Sequence, residues 1–203
     1  MNKLLALTIF IPLFTVGQNT KYNETVNKLT DYFSKVHGQD SIKYQKLFFA
    51  TFPDNFIDLN AVYGFNSKIH DNVYHGAPLY DGYEHISFLF DLTTIPEKEF
   101  YQKILNIAIG GHWNADAVNY FQDGLHRKVL QNPKLAFDLL KVKNDSEIKS
   151  IFFFFFHGIH PPYENIPVEL QAMKTYDSRI YKILKQGFIE AISKSGHEYF
   201  IDK

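Results

Sequence analysis

Apolar residues recur three and four positions apart along most of the chain, and this spacing constrains the fold more than any other feature of the sequence. The first series is Tyr22, Val26, Leu29, Phe33 and Val36, with Gly38 just beyond it. Residues three and four apart share one face of an α-helix, and glycine is common after a helix C-terminus. The segment therefore predicts an amphipathic helix that packs one face against a core.

Start and stop signals divide the rest of the chain into further helices. Similar apolar series begin near Asp40, Asn55, Leu79, Thr94, Asn114, Asn132, Asn144 and Pro167. Thr94-x-x-Glu97 and Asn144-x-x-Glu147 both fit a capping box, in which the two side chains bind free backbone N–H groups. We expect Asp40-Ser41, Asp54 or Asn55, Asn114 and Asn132 to cap their helices. We expect the last series to break between Thr175 and Ser178.

The sequence thus predicts an all-α protein with a single domain of about nine short helices in antiparallel pairs. A short solenoid is one way to stack such pairs. Residues 65–78 are polar and predict a loop. Five consecutive phenylalanines, 152–156, are apolar on every face, which is typical of a helix surrounded by other helices. A buried strand is the alternative for this run.

The first 17 residues have the pattern of a cleavable signal peptide. Lys3 precedes 13 apolar-rich residues, Leu4 to Val16, and small residues stand at Thr15 and Gly17. A helix that spans a membrane needs roughly 20 apolar residues, so this segment is too short to be one. We expect cleavage after Gly17, a mature helical domain of residues 18–203, and a periplasmic or secreted location.

Composition excludes several classes of function. The chain has no cysteine, which rules out disulfides, cysteine-based zinc sites and a thiol nucleophile. Loss of Lys3 with the signal peptide leaves 20 basic and 22 acidic residues. Because nucleic-acid-binding proteins usually carry a basic excess, this balance disfavours a nucleic-acid partner. No later segment is long and apolar enough to predict a transmembrane helix.

The polar loop and a nearby tryptophan are the first candidate site. Loops often carry binding residues, and aromatic side chains are common in protein interfaces. A solvent-exposed connection explains the same residues without a function. If the loop binds, we expect a protein partner and the contact residues His70, Asp71, Tyr74, His75, Tyr80 and Trp113.

The segment from Gly110 to Asp116 is a second candidate. A glycine pair before a helix N-terminus can hold an anion on free N–H groups, and His112 and Asp116 are spaced as an acid/base pair. The simpler interpretation is that the glycines end one helix and Asn114 caps the next.

A third candidate is a metal site. His157-x-x-His160 has the spacing of two ligands on one helix face. Asp116, Glu164 or His112 could supply a further ligand only if the fold brings one of them close. Gly158 and Pro161-Pro162 indicate that the helix ends here, so a helix-terminal turn is the simpler interpretation. Metal binding therefore stays an alternative, and the sequence predicts no resident cofactor.

Two stretches carry a resemblance to other proteins. YQKLFFATFPDNFIDLNAVYGF, from Tyr44 to Phe65, and GHWNADAVNYFQDGL, from Gly111 to Leu125, resemble parts of small helical proteins exported by Gram-negative bacteria. The resemblance extends over most of the mature chain and implies a helical fold and an envelope or periplasmic location. It implies no activity and no site residues.

The sequence favours binding over catalysis. No Gly-x-Ser-x-Gly elbow, phosphate-binding glycine loop, dinucleotide fingerprint or His-Glu-x-x-His helix is present. Together with 20 Phe and 13 Tyr, this predicts an exported protein-binding module. An immunity protein against a toxin is one form of it, by analogy of location and fold. The alternatives are a metal-assisted hydrolase acting on cell-envelope material and a carrier with an aromatic-lined cavity.

Overall fold

The computed structural model describes residues 14–66, 75–159 and 163–195. Most of the predicted signal peptide lies outside these residues, as do His70, Asp71, Tyr74 and His160.

Helices make up 69% of the described residues, which confirms the all-α fold. The elements are α1 (Phe14–Phe33), α2 (Ser41–Thr51), α3 (Phe56–Tyr63), β1 (Phe65–Asn66), β2 (His75–Gly76), α4 (Tyr83–Asp91), α5 (Glu97–Ile107), α6 (Ala117–Gln131), α7 (Pro133–Leu140), α8 (Asp145–Phe156), α9 (Val168–Gln171) and α10 (Ser178–Ser195). A 3₁₀ turn, Ala172–Lys174, lies between α9 and α10, so the expected break in the last series is confirmed.

Three of the expected asparagine caps are present. Asn55 accepts a hydrogen bond from the Asp58 N–H, and Asn132 accepts one from the Leu135 N–H. Asn144 forms a complete capping box with Glu147 at the start of α8. These contacts satisfy N–H groups that have no partner inside the helix.

Two predicted caps bind elsewhere, and the side chain of Asp40, at the N-cap of α2, makes no capping hydrogen bond. Thr94 does not cap α5: its hydroxyl donates to Gln45 Oε1 at 3.0 Å, and Pro96 stands at the cap position. Asn114 does not cap α6, which begins after Asp116. In both cases the side chain binds a distant residue instead of the helix that follows it.

Helix α8 is central to the core and packs against α10 and α6. Phe152, Phe154, Phe155 and Phe156 are buried. Gly187 of α10 approaches α8 so closely that an added Cβ would lie 2.9 Å from the Lys149 carbonyl oxygen. The helical prediction for the phenylalanine run is confirmed, and the strand alternative is wrong.

Side chains of α6 bind the C-terminal carbonyls of α8. Gln122 Nε2 donates to the carbonyl oxygens of Phe154 and His157, and His126 Nε2 is hydrogen-bonded to the Phe155 carbonyl. The last carbonyl oxygens of a helix have no N–H partner inside the helix. These three contacts therefore fix the end of α8 against α6.

The predicted polar loop contains a short antiparallel ladder that the sequence does not indicate. Phe65 pairs with Gly76, and Asn66 pairs with His75. Among the described residues, no helix is both long and apolar enough to cross a bilayer.

Candidate protein-binding surface

Helices α4 and α6 pack closely, and this contact sets the geometry of the candidate site. Gly124 of α6 faces the ring of Phe90 of α4, where an added Cβ would lie 2.2 Å from the ring. A larger side chain at position 124 would force the helices apart. The glycine therefore lets the N-terminal turns of α4 and α6 lie side by side.

Tyr83 and Tyr120 form an exposed aromatic pair on these two helices. Their ring centroids are 5.3 Å apart, with 32° between the ring planes. The side chains are 46% and 45% exposed, respectively. Most aromatic side chains of the described residues are buried or half-buried, so these exposed rings present apolar area to solvent that the fold itself does not use. Tyr83 follows Leu79 by four positions and precedes Ile86 by three, a spacing that predicts a core-facing stripe. The structure shows this prediction to be wrong for Tyr83, which is exposed.

Tyr80 connects the loop before α4 to the start of α6. Its hydroxyl is hydrogen-bonded to the carboxylate of Asp116, and this bond is the largest cause that raises the pKa of Tyr80 to about 12. Partial burial and the charges of Asp116 and Asp81 act in the same direction. The ring of Tyr80 also packs against Phe65, with centroids 5.4 Å apart.

Asp116 has a strained backbone. Its φ is 52° and its ψ is −120°. No other non-glycine residue among those described has a positive φ. Such a conformation costs on the order of 1–3 kcal/mol and persists where surrounding contacts hold it. Here the Tyr80 hydroxyl binds the side chain, and the Asp116 carbonyl accepts from the Tyr120 N–H at 3.0 Å.

Asn114 joins the loop before α6 to the β-ladder. Its Oδ1 accepts from the N–H groups of Phe65 (3.2 Å) and Ala115 (2.8 Å). Its Nδ2 donates to Asn60 Oδ1 (2.8 Å) and to the Phe65 carbonyl (3.2 Å). One asparagine therefore holds the two predicted loops together, a role that the sequence analysis missed.

Trp113 belongs to the same joined region. Its indole N–H donates to Asn119 Oδ1 at 3.0 Å, which fixes the ring against the first turn of α6. We call the group Tyr80, Tyr83, Trp113, Asp116 and Tyr120 the tyrosine surface. Of the predicted contact residues, Tyr80 and Trp113 lie in it, and His75 lies in β2. The other three are outside the described residues.

Two of the three histidines of the metal hypothesis, His112 and His157, lie in the described residues. His157 is buried at the C-cap of α8, where Nδ1 accepts from the Trp113 N–H at 3.2 Å. His112 is exposed, and its ring lies 4.8 Å from that of Phe56. In the part of the chain that the structure describes, no three His, Cys, Asp or Glu side chains are grouped to hold a metal ion.

The amides of the glycine pair already have partners. The Gly110 N–H donates to Ser150 Oγ, and the Gly111 N–H donates to the Ala108 carbonyl, both at 3.1 Å. Gly110 has a φ of 72°, which suits the end of α5. The interpretation of these glycines as a helix stop therefore fits the structure better than an anion site.

A groove of about 660 Å³ lies between the start of α7 and α9, and its lining includes Lys134, Glu169 and one aromatic residue, Tyr176. This is unlike the aromatic-lined cavity expected for a carrier of apolar ligands.

Comparison of the chain with models of protein families, with curated proteins and with solved structures finds no match.

Proposed function

We propose that this chain is an exported protein-binding module whose contact area is the tyrosine surface. The observation that carries the proposal is the exposed Tyr83–Tyr120 pair, whose rings pack on each other and leave nearly half of each side chain in solvent. Tyrosine and tryptophan are enriched among the residues that contribute most to binding energy in protein interfaces.

The hydrogen bonds around the pair support the same function. Asn114 and the Tyr80–Asp116 contact hold the two loops in one arrangement before any partner arrives. Association costs less free energy when the contact residues need little further ordering. A rigid, aromatic and polar-edged surface is suited to a protein partner.

The export part of the proposal rests on residues 1–17. A positive residue, a 13-residue apolar-rich stretch and small residues before Gln18 are the features that signal peptidases recognise. A partner would then be met in the periplasm or outside the cell. A toxin that the chain neutralises as an immunity protein is one such partner.

Site-specific photocrosslinking tests the contact area. A photoreactive phenylalanine analogue replaces Tyr83 or Tyr120 in the cells that naturally make the protein, and adducts are identified by mass spectrometry. Tyr176 is the matched control because it is 41% exposed but hydrogen-bonded to Asp138, near the C-terminal end of α6 and not at the N-terminal turns of α4 and α6.

We expect one adduct of defined mass from positions 83 and 120, and its absence from position 176. The proposal fails if positions 83 and 120 give no adduct, or if all three positions give the same adducts.

A further inference from the structure

Basic residues are absent from both chain segments that build the tyrosine surface. None of the 21 Lys and Arg residues lies in 69–97 or in 104–126. The first segment contains Tyr80 and α4, and the second contains Trp113 and the first ten residues of α6. The acidic residues of these segments are Asp71, Asp81, Glu84, Asp91, Glu97, Asp116 and Asp123.

Carboxylates lie beside both exposed tyrosines. The Tyr83 hydroxyl is 3.5 Å from Glu84 Oε1. Asp123 follows Tyr120 by three positions, so these two share one face of α6. Asp116 stands directly before the first residue of α6, four positions before Tyr120. Asp81 is close enough to Tyr80 for its charge to raise the pKa of the hydroxyl. The four carboxylate residues are exposed.

These carboxylates differ from others in how they are neutralised. Within the described residues, Asp81, Glu84 and Asp116 form no ion pair with Lys or Arg, and Asp123 has His126 at 3.8 Å. Several carboxylates elsewhere are bound by a basic side chain: Glu24, Asp31, Asp54, Asp138, Asp145 and Glu190. The surface therefore keeps a local negative potential, bounded on α6 by Arg127.

We infer that the partner is a protein that presents arginine and lysine side chains to the tyrosine surface. This inference rests on the proposed function and adds the chemistry of the partner. Guanidinium groups stack on tyrosine rings and bind carboxylates through paired N–H donors. The Tyr83–Tyr120 rings and the Glu84 and Asp116 carboxylates offer both kinds of contact.

Titration with charged peptides tests the partner chemistry. The ¹⁵N-labelled protein is titrated with blocked hexa-arginine and, separately, with blocked hexaglutamate, and amide chemical shifts are followed by NMR. We expect hexa-arginine to shift amides in 80–84 and 113–123, and hexaglutamate to leave them in place. We also expect binding to weaken about tenfold between 50 and 300 mM salt, because exposed charges are screened.

A pair of matched variants localises the effect. Asp81→Asn combined with Glu84→Gln removes two exposed charges from the surface and should weaken hexa-arginine binding at least about fivefold. Asp40→Asn combined with Glu99→Gln removes two exposed charges, one just before α2 and one in α5, and should change hexa-arginine binding less than about twofold. Circular dichroism and thermal unfolding confirm that both variants are folded.

Three results would overturn the inference. The two double variants could weaken hexa-arginine binding equally, the shifts could spread over the whole protein, or the two peptides could bind equally well. These results are separable from failure of the proposed function. An adduct at positions 83 and 120 without hexa-arginine binding would retain the binding function and reject the basic partner.

Discussion

Two buried histidines are held neutral by their surroundings. His85 packs against Phe33 and Phe48, and its Nδ1 is hydrogen-bonded to the Tyr63 hydroxyl at 3.1 Å. His126 is bonded through Nε2 to the Phe155 carbonyl. Burial lowers the pKa of both imidazoles from 6.5 to about 4. A protonated imidazole at either position would place a charge among aromatic rings.

This difference predicts that the protein loses stability in mild acid. The unfolded chain takes up a proton near pH 6.5, whereas each folded site resists it until about pH 4. The stabilisation of the folded protein by each neutral histidine is therefore fully present above pH 6.5. It falls as the pH drops towards 4, by at most about 3 kcal/mol of unfolding free energy for each histidine. Urea unfolding measured at pH 7, 6, 5 and 4.5 gives the slope.

His126→Gln separates this contribution from that of other groups. Glutamine keeps an amide donor for the Phe155 carbonyl but does not titrate. Lysine partners lower the pKa values of Asp138 and Glu190. Protonation of these carboxylates also destabilises the folded protein, at lower pH, and does so equally in the parent protein and the variant. We expect a shallower slope in the variant between pH 6.5 and 4. An identical slope in the two proteins would contradict the assignment.

At the scale of the helix, the two capping-box patterns provide a direct comparison. Glu147 Oε2 accepts from the Asn144 N–H at 3.0 Å at the start of α8. Glu97 also stands in a first turn, that of α5, but its Oε1 accepts from Asn132 Nδ2 at 3.3 Å. Both carboxylates gain from the helix dipole, so the capping bond is the main difference between them.

Glu147→Ala is expected to cost more free energy of unfolding than Glu97→Ala, by about 0.5–1 kcal/mol. Chemical denaturation of the two variants and the parent protein at pH 7 measures both changes. Equal losses would show that the closed capping box adds nothing beyond a first-turn negative charge.

Local signals predicted the helices well because their causes are local. Spacing of apolar residues and the caps at Asn55, Asn132 and Asn144 depend on neighbours within four positions. The Thr94 prediction failed because Gln45, 49 residues away, accepts the hydroxyl proton. No local pattern distinguishes that threonine from a capping one.

At the scale of the whole molecule, the candidate site depends on contacts between distant segments as well as on its loops. The sequence predicted Tyr80 and Trp113 as contact residues on separate segments, and both lie in the tyrosine surface. Two long-range contacts bring these segments together. Asn114 is hydrogen-bonded to Phe65, 49 residues away, and Gly124 leaves room for the ring of Phe90. The exposed Tyr83–Tyr120 pair follows from that packing, so periodicity alone placed Tyr83 on the wrong side.

The N-terminal boundary of the molecule is the last prediction. Helix α1 begins at Phe14 and so crosses the expected cleavage position after Gly17. The described side-chain contacts of α1 begin with Tyr22, whose hydroxyl donates to Asp58 Oδ1 at 3.0 Å, and continue to Leu29, which is fully buried. A chain that starts at Gln18 retains all of these contacts.

We expect the mature protein to begin at Gln18, as read by mass spectrometry of material recovered outside the cytosol. Residues 18–203 should be helical by circular dichroism and unfold in one cooperative transition. A chain that starts at Thr30 lacks the Tyr22 hydrogen bond and the buried Leu29, whose loss alone should cost about 2–5 kcal/mol. Recovery of a mature protein that begins at Met1, or equal stability of the two shortened chains, would refute this boundary.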